Sequence, residues 1–203
     1  MYEIKASPRP DYIVETASPA AFREIALPAL KSGSSIVTLS IGALADADFY
    51  KEVQQAALDN NTRVHLASGA IGGFDVLRTV SLMEECTVTF QTEKGPHSLK
   101  NTEVYDQALQ TEQREVFSGD AKEAIALFPT RVNVAVAAAL ASLGPENLTV
   151  SINSTPGFVG DDHRIEIKSE QIHTVIDVYS RTAQIAGWSV VNTLRNIVSP
   201  IVF

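Results

Sequence analysis

Apolar residues follow two rhythms along this chain. Up to about residue 73, short apolar runs alternate with stretches in which apolar positions recur every three or four residues. Tyr12-Ile13-Val14 reads as a buried strand running into Glu15-Thr16-Ala17-Ser18. Ser18 suits a helix N-cap with Pro19 at the first helical position, and Gly33 suits the far end. Phe22, Ile25, Ala26, Ala29 and Leu30 then share one face, and Pro28 predicts a kink. A strand over Ile36 to Ser40, a turn at Ile41-Gly42-Ala43 and a helix capped by Asp46 follow, the helix with an inner stripe of Phe49, Val53, Ala56 and Ala57. A third strand, Arg63 to Ala67, opens into Ser68-Gly69-Ala70-Ile71-Gly72-Gly73. Apolar strands joined by amphipathic helices predict parallel βαβ units, whose ligands lie beyond the carboxyl ends of the strands. Those ends are Ala17-Ser18, Ser40-Ile41-Gly42 and Ser68-Gly69-Ala70.

After Gly73 the rhythm changes. A helix over about Phe74 to Met83 leads to an alternating strand, Thr87 to Thr92, and then to a polar stretch from Glu93 to Gln113 that reads as loop and solvated surface. Ala121 to Phe128 predicts a short helix stopped by Pro129, and Val132 to Leu143 a buried helix ended by Gly144. Leu148 to Asn153, His163 to Lys168 and His173 to Tyr179 alternate with period two, the mark of an antiparallel sheet with one wet face. A last helix runs from Thr182 to Ile197, with Ile185, Trp188, Val191, Leu194 and Arg195 at helical spacings. The expected fold class is α/β: a partial Rossmann-type parallel sheet, then an α+β domain with an antiparallel sheet, and a C-terminal helix packing back. The expected division is residues 1–70 plus 182–203 for an incomplete dinucleotide-binding domain, and 71–181 for a substrate-binding and dimerisation domain.

Composition narrows the function. The chain has 203 residues, 45% of them hydrophobic, which rules out wholesale disorder. Its 16 Lys+Arg against 24 Asp+Glu give a net charge of −8, so no nucleic-acid partner is expected. With Cys86 alone, neither an internal disulfide nor a cysteine zinc cage is available, and no two histidines stand at metal-ligand spacing. No stretch approaches the roughly 20 apolar residues that span a bilayer. The start, MYEIKASPRPDY, lacks the apolar centre of a signal peptide, so a soluble, cytoplasmic protein is expected. A complete dinucleotide-binding fold carries a G-x-G-x-x-G turn and about six parallel strands. The sequence has no such turn and only three strand candidates before the rhythm changes, so the first half of such a fold is expected to be absent.

Four segments, in this order, resemble the L-aspartate dehydrogenase family: Leu39-Ser40-Ile41-Gly42-Ala43-Leu44, Ser68 to Gly73, Leu127-Phe128-Pro129 with Val132-Asn133-Val134-Ala135, and His163 seven residues after Pro156. The resemblance runs from Pro10 to Arg195 and leaves the family's Gly-rich first half upstream of it. It implies NAD- or NADP-dependent oxidation of L-aspartate to iminoaspartate, which feeds NAD synthesis or hydrolyses to oxaloacetate. It also implies a homodimer formed through the antiparallel sheet. By position, His163 takes the family's acid/base place, and Ala70 and Asn133 match residues that contact the nicotinamide cofactor. The sequence departs from the family pattern at Thr155, Asp161 and Arg164, at Pro129-Thr130-Arg131, and over Ser169 to Ile172.

Each candidate also has a plainer reading. His163 follows the polar segment Gly157 to Asp162; an ordinary imidazole there suits proton transfer, held by Asp161 or Asp162, or else it is an exposed histidine in an acidic loop. Asn133 reaches a cofactor amide or ribose, or bonds a nearby backbone group. Gly69 and Ala70 let backbone approach a flat ring, or form a tight turn, and Ser40 and Gly42 share that ambiguity. A dicarboxylate substrate needs cations, for which Arg131, Arg164 and Arg181 are candidates or else surface residues. His65 and His173 read as structural, His97 as solvated and Cys86 as inert. Two functions remain: an aspartate dehydrogenase-like oxidoreductase, or an N-terminally truncated, inactive homologue serving as a dimerisation or ligand-binding module.

Overall fold

The structure, a computed structural model, describes residues 9–203. Most of the stretch read for a signal peptide, and the first eight residues of the expected first domain, lie outside the described residues.

The first unit is the βαβαβ expected. Strands β1 (Tyr12–Glu15), β2 (Ser35–Thr38) and β3 (Val64–Leu66) form a parallel sheet in the order β1-β2-β3, with Val14 beside Val37 and Val37 beside His65. Helix α1 (Pro19–Lys31) starts where the Ser18 side chain accepts the Ala21 N–H and runs on through Pro28. Helix α2 (Ala47–Asp59) starts where Asp46 accepts the N–H groups of Asp48 and Phe49. Phe22, Leu30, Phe49 and Val53 bury one face of the sheet. β1 is not buried as expected: it is an edge strand, so Tyr12 and Val14 stay exposed and only Glu15 is enclosed.

The second unit is a five-stranded sheet in the order β5-β6-β4-β7-β8. Its strands are β4 (Thr87–Lys94), β5 (Arg114–Asp120), β6 (Thr149–Ser154), β7 (Asp161–Lys168) and β8 (His173–Ser180). It is mixed: β4 runs parallel to β6, and the other neighbours are antiparallel. Helices α3 (Phe74–Met83), α5 (Ala121–Leu127) and α6 (Asn133–Leu140) cover its inner face, with Leu77, Val80, Ala124 and Ala135 against Val88, Phe90, Val150, Ile152, Ile165 and Ile167.

The stretch Glu93 to Gln113 is less solvated than its composition suggested. β4 continues to Lys94, a short helix α4 (Pro96–Leu99) follows, and Leu99 and Leu109 are fully buried. Helix α7 (Gln184–Val198) packs back on β2, and of the stripe its spacing suggested Leu194 joins the contact, alongside Val190 and Ile197. Val190 meets Val37 and Ala67, whereas Trp188 is 68% exposed and Ile185 and Val191 are also exposed. No described helix is long and apolar enough to cross a membrane.

Candidate active site

The carboxyl ends of the parallel strands are held by polar groups that have their partners inside the protein. Glu15, 4% exposed, ends β1. Its carboxylate accepts the N–H groups of Ala17 (2.8 Å) and Ser18 (3.0 Å) and the hydroxyls of Thr38 (2.7 Å) and Ser40 (3.0 Å). The Ser40 hydroxyl is thus committed to Glu15. Gly42 lies in a tight turn against α5 and α6, where a Cβ would meet Ile125 and Asn133. Asn133, at the start of α6, accepts the Gly42 N–H through Oδ1 at 2.8 Å. That is the plainer reading of Asn133, and it leaves the Nδ2 donors for other work.

β3 ends in the turn of Gly69 and Ala70. Gly69 and Gly73 take φ values of +65° and +73°, in the left-handed region that glycine enters without strain. The Gly69 N–H donates to Ser189 Oγ of α7 at 3.0 Å. A Cβ on Gly69 would touch Val134 of α6, and one on Gly73 would collide with Ile176 of β8, whereas Gly72 faces open space. The turn therefore rests on β8 two residues from Val178, the neighbour of His163.

The inner face of the five-stranded sheet changes chemistry along its strands. Val88 and Phe90 are followed by Thr92 and Lys94 on β4, and Val150 and Ile152 by Ser154 on β6; on β7 His163 precedes Ile165 and Ile167. Register sets Thr92 beside His163, and Lys94 between Asp161 and Ser154. All four of Thr92, Lys94, Ser154 and His163 are buried. Thr92 Oγ1, Ser154 Oγ and His163 Nδ1 have no hydrogen-bond partner among the described residues, nor has Thr155 Oγ1 just beyond β6. The Lys94 ammonium bonds the Asp161 carboxylate, which is itself partly exposed.

His163 is therefore no loop residue. It is 3% exposed, within β7, with its ring 5.6 Å from that of Phe90. Burial first, and then the Lys94 charge, push its imidazole down to about 4, against the opposing pull of Asp161. The sequence expectation of an ordinary imidazole raised by a neighbouring aspartate is reversed. Asp162 points to the other face, where burial and then Asp177 and Glu93 raise its own pKa.

The three predicted arginines do not gather here. Arg164 follows His163, so strand alternation puts it on the opposite face, paired with Asp177 at 3.2 Å. Arg131 donates to the Lys100 carbonyl, and Arg181 is exposed. The cation beside His163 is Lys94, which the sequence reading passed over inside a polar run. His65 sits in β3 with its ring 6.0 Å from Tyr12, His173 bonds Glu166 at 2.7 Å, and His97 is exposed. A groove of about 410 Å³ between α2 and β3, lined by Tyr50, Leu58 and His65 among others, includes none of the predicted site residues.

Comparison with known proteins bears on what this cluster does. The family model described as aspartate dehydrogenase, C-terminal, matches residues 75–197, and that described as homoserine dehydrogenase, NAD binding domain, matches residues 1–67. The L-aspartate dehydrogenases of Methanosarcina barkeri and Acinetobacter baylyi are each 32% identical to the chain over 94% and 95% of its length, covering 75% and 77% of their own. A crystal structure of aspartate dehydrogenase from Thermotoga maritima matches with a TM-score of 0.83 at 30% identity, over 100% of this chain and 82% of that one. A hyperthermophilic archaeal homoserine dehydrogenase in complex with NADPH matches at 0.53 and 13% identity, over 91% of this chain and 70% of that one, which is a likeness of fold alone.

Proposed function

Since the chain belongs to the aspartate dehydrogenase family of NAD(P)-dependent oxidoreductases, we propose that it oxidises L-aspartate to iminoaspartate, for NAD synthesis, with His163 as the acid/base. The observation that carries this reading is a buried, unpaired His163 Nδ1 whose strand neighbour Val178 lies two residues from Ile176, on which the glycine turn packs. The residues at that turn fit a nicotinamide cofactor, because Gly72 leaves open space where a side chain would stand. Gly69 and Ala70 offer backbone that a flat ring can approach, and Asn133 offers its Nδ2 donors from a carbonyl already anchored on Gly42. Ser40 and Gly42 act through the shape of their turn, which Glu15 and Asn133 fix. A nicotinamide cofactor held there by the Gly69–Ala70 backbone and Asn133 would supply hydride-transfer chemistry at the substrate Cα.

The protein positions the substrate and moves its proton. At neutral pH His163 is uncharged, since its imidazole is held near 4. It accepts a proton at Nδ1 from the substrate α-ammonium, and the freed amine, once Cα has lost its hydride, is left as the iminium form of iminoaspartate. In the reverse direction the same nitrogen returns the proton. Residues 1–70 with 182–203 serve the cofactor and 71–181 serve substrate and dimerisation. A homodimer through the five-stranded sheet is supported by its edge strand β8, which leaves Val175 and Tyr179 exposed.

The test is NADH binding to the chain, read by energy transfer from Trp188, followed by NADH oxidation with oxaloacetate and ammonia. His163→Asn is expected to lower kcat by about 10²–10⁴-fold while the NADH Kd stays within a factor of two. An unchanged kcat overturns the role of His163. No binding up to millimolar NADH favours the inactive homologue, a dimerisation or ligand-binding module.

A further inference from the structure

Three buried polar side chains without partners occupy one patch of the sheet's inner face, around a lysine. We propose that Lys94, together with the hydroxyls of Thr92 and Ser154, forms a subsite that seats a carboxylate of the substrate beside His163. This rests on the reading of the cluster around His163 as the substrate site of a dehydrogenase.

Thr92 is 2% exposed and Ser154 fully buried, and neither hydroxyl meets a partner among the described residues. A buried hydroxyl without a hydrogen bond is a net cost to the fold. Two strand positions earlier, the same face carries Phe90 and Ile152, so an apolar residue at either place would continue the core. The register brings both hydroxyls to Lys94: Thr92 precedes it on the same face of β4, and Ser154 lies directly across from it on β6. Two hydroxyl donors and an ammonium at neighbouring positions on one face of adjacent strands match a carboxylate, whose two oxygens accept several hydrogen bonds.

The ion pair with Asp161 keeps the Lys94 charge from standing alone in the ligand-free protein, and it is built unevenly. The Lys94 side chain is 7% exposed and that of Asp161 38%. Asp161 therefore turns out to water at small cost, whereas Lys94 stays enclosed and needs a replacement anion. A carboxylate from the substrate supplies it. A lysine with two hydroxyls asks less of geometry than a bidentate arginine, which explains how a carboxylate is held here although Arg131, Arg164 and Arg181 all lie elsewhere.

The experiment pairs thermal melts with calorimetric titration of succinate and of L-aspartate into the 203-residue chain, with and without NADH. Thr92→Val and Ser154→Ala are each expected to raise Tm by about 2 °C, because each removes an unpaired hydroxyl, and to weaken succinate binding about tenfold. Lys94→Met is expected to weaken it at least a hundredfold; should that variant fail to fold, the two hydroxyl variants decide. In all folded variants the NADH Kd stays within a factor of two. Variants that bind succinate like the wild type, or hydroxyl variants whose Tm falls, overturn the subsite. Wild type that binds NADH but neither dicarboxylate overturns the subsite and leaves the dehydrogenase reading standing. Wild type that binds dicarboxylate but no NADH sustains the subsite and removes the dehydrogenase reading.

Discussion

Two buried polar clusters in this protein each hold a serine and a threonine hydroxyl beside an ionisable group, and differ in whether those groups are paired. Around Glu15, a carboxylate, two hydroxyls and two backbone N–H groups satisfy one another across the ends of β1 and β2. Around His163, two hydroxyls and a ring nitrogen are as deeply buried and unpaired. The first cluster behaves as structure: it joins two strand ends and needs nothing further. The second is destabilising in the protein alone and is repaid only when a molecule with complementary groups enters. Polar burial is a weak guide to function, and unsatisfied polar burial is a much better one.

The contrast is testable by substitutions of opposite consequence. The largest effect belongs to Glu15→Ala, which strands four donors at once; it is expected to cost about 3–5 kcal/mol in urea unfolding. A loss below about 1 kcal/mol would show that water replaces the carboxylate and that the cluster is not structural. Next comes acid. The folded His163 value of about 4 lies below the ordinary 6.5, so the unfolded chain takes the proton first as pH falls. Its contribution is whole above about pH 6.5 and is lost down to about pH 4, roughly 3 kcal/mol in all. Unfolding of wild type and His163→Gln at pH 7, 5.5 and 4 checks this; the variant lacks that part of the slope and keeps the smaller part from His65, whose burial also lowers its pKa. Parallel slopes in the two proteins would break the argument. The smallest effect is the most discriminating. Ser40→Ala removes a bonded hydroxyl and is expected to cost about 1 kcal/mol, whereas Ser154→Ala removes an unbonded one and is expected to gain up to about 1 kcal/mol. The same chemical change then carries opposite signs in two places within one chain.

Much of the fold is legible where local rules act alone. Ser18 with Pro19, and Asp46, start helices because a side-chain oxygen bonds an N–H two or three residues on, and that needs no tertiary context. β5 went unread because Arg114 to Asp120 does not alternate; a register shift between Glu115 and Phe117 breaks the period, and the strand is an edge. β1 was read as buried because Tyr12-Ile13-Val14 is apolar, yet edge position is a property of the sheet and not of the segment. In α7 two apolar stripes overlap at Leu194: Ile185, Trp188 and Val191 stay exposed, and Val190, Leu194 and Ile197 meet Val37 and Ala67, with Ser189 bonded to the turn after β3. The site follows the same division. His163, Asn133 and the glycine turn were found from their resemblance to a family, whereas Lys94 was missed because a lysine after Glu93 looks solvated. What buries it is two further residues of β4, a length fixed by pairing with β6 and β7.

The bond from the Gly69 N–H to Ser189 has a consequence for how the protein is made. The glycine turn and its anchor are 120 residues apart in the chain. During synthesis the parallel strands are made before α7, and the turn at their end waits for that last described helix before its backbone is fastened. The glycine turn is thus among the last of the described features to set, and a half-made chain presents its strands before that turn is fastened.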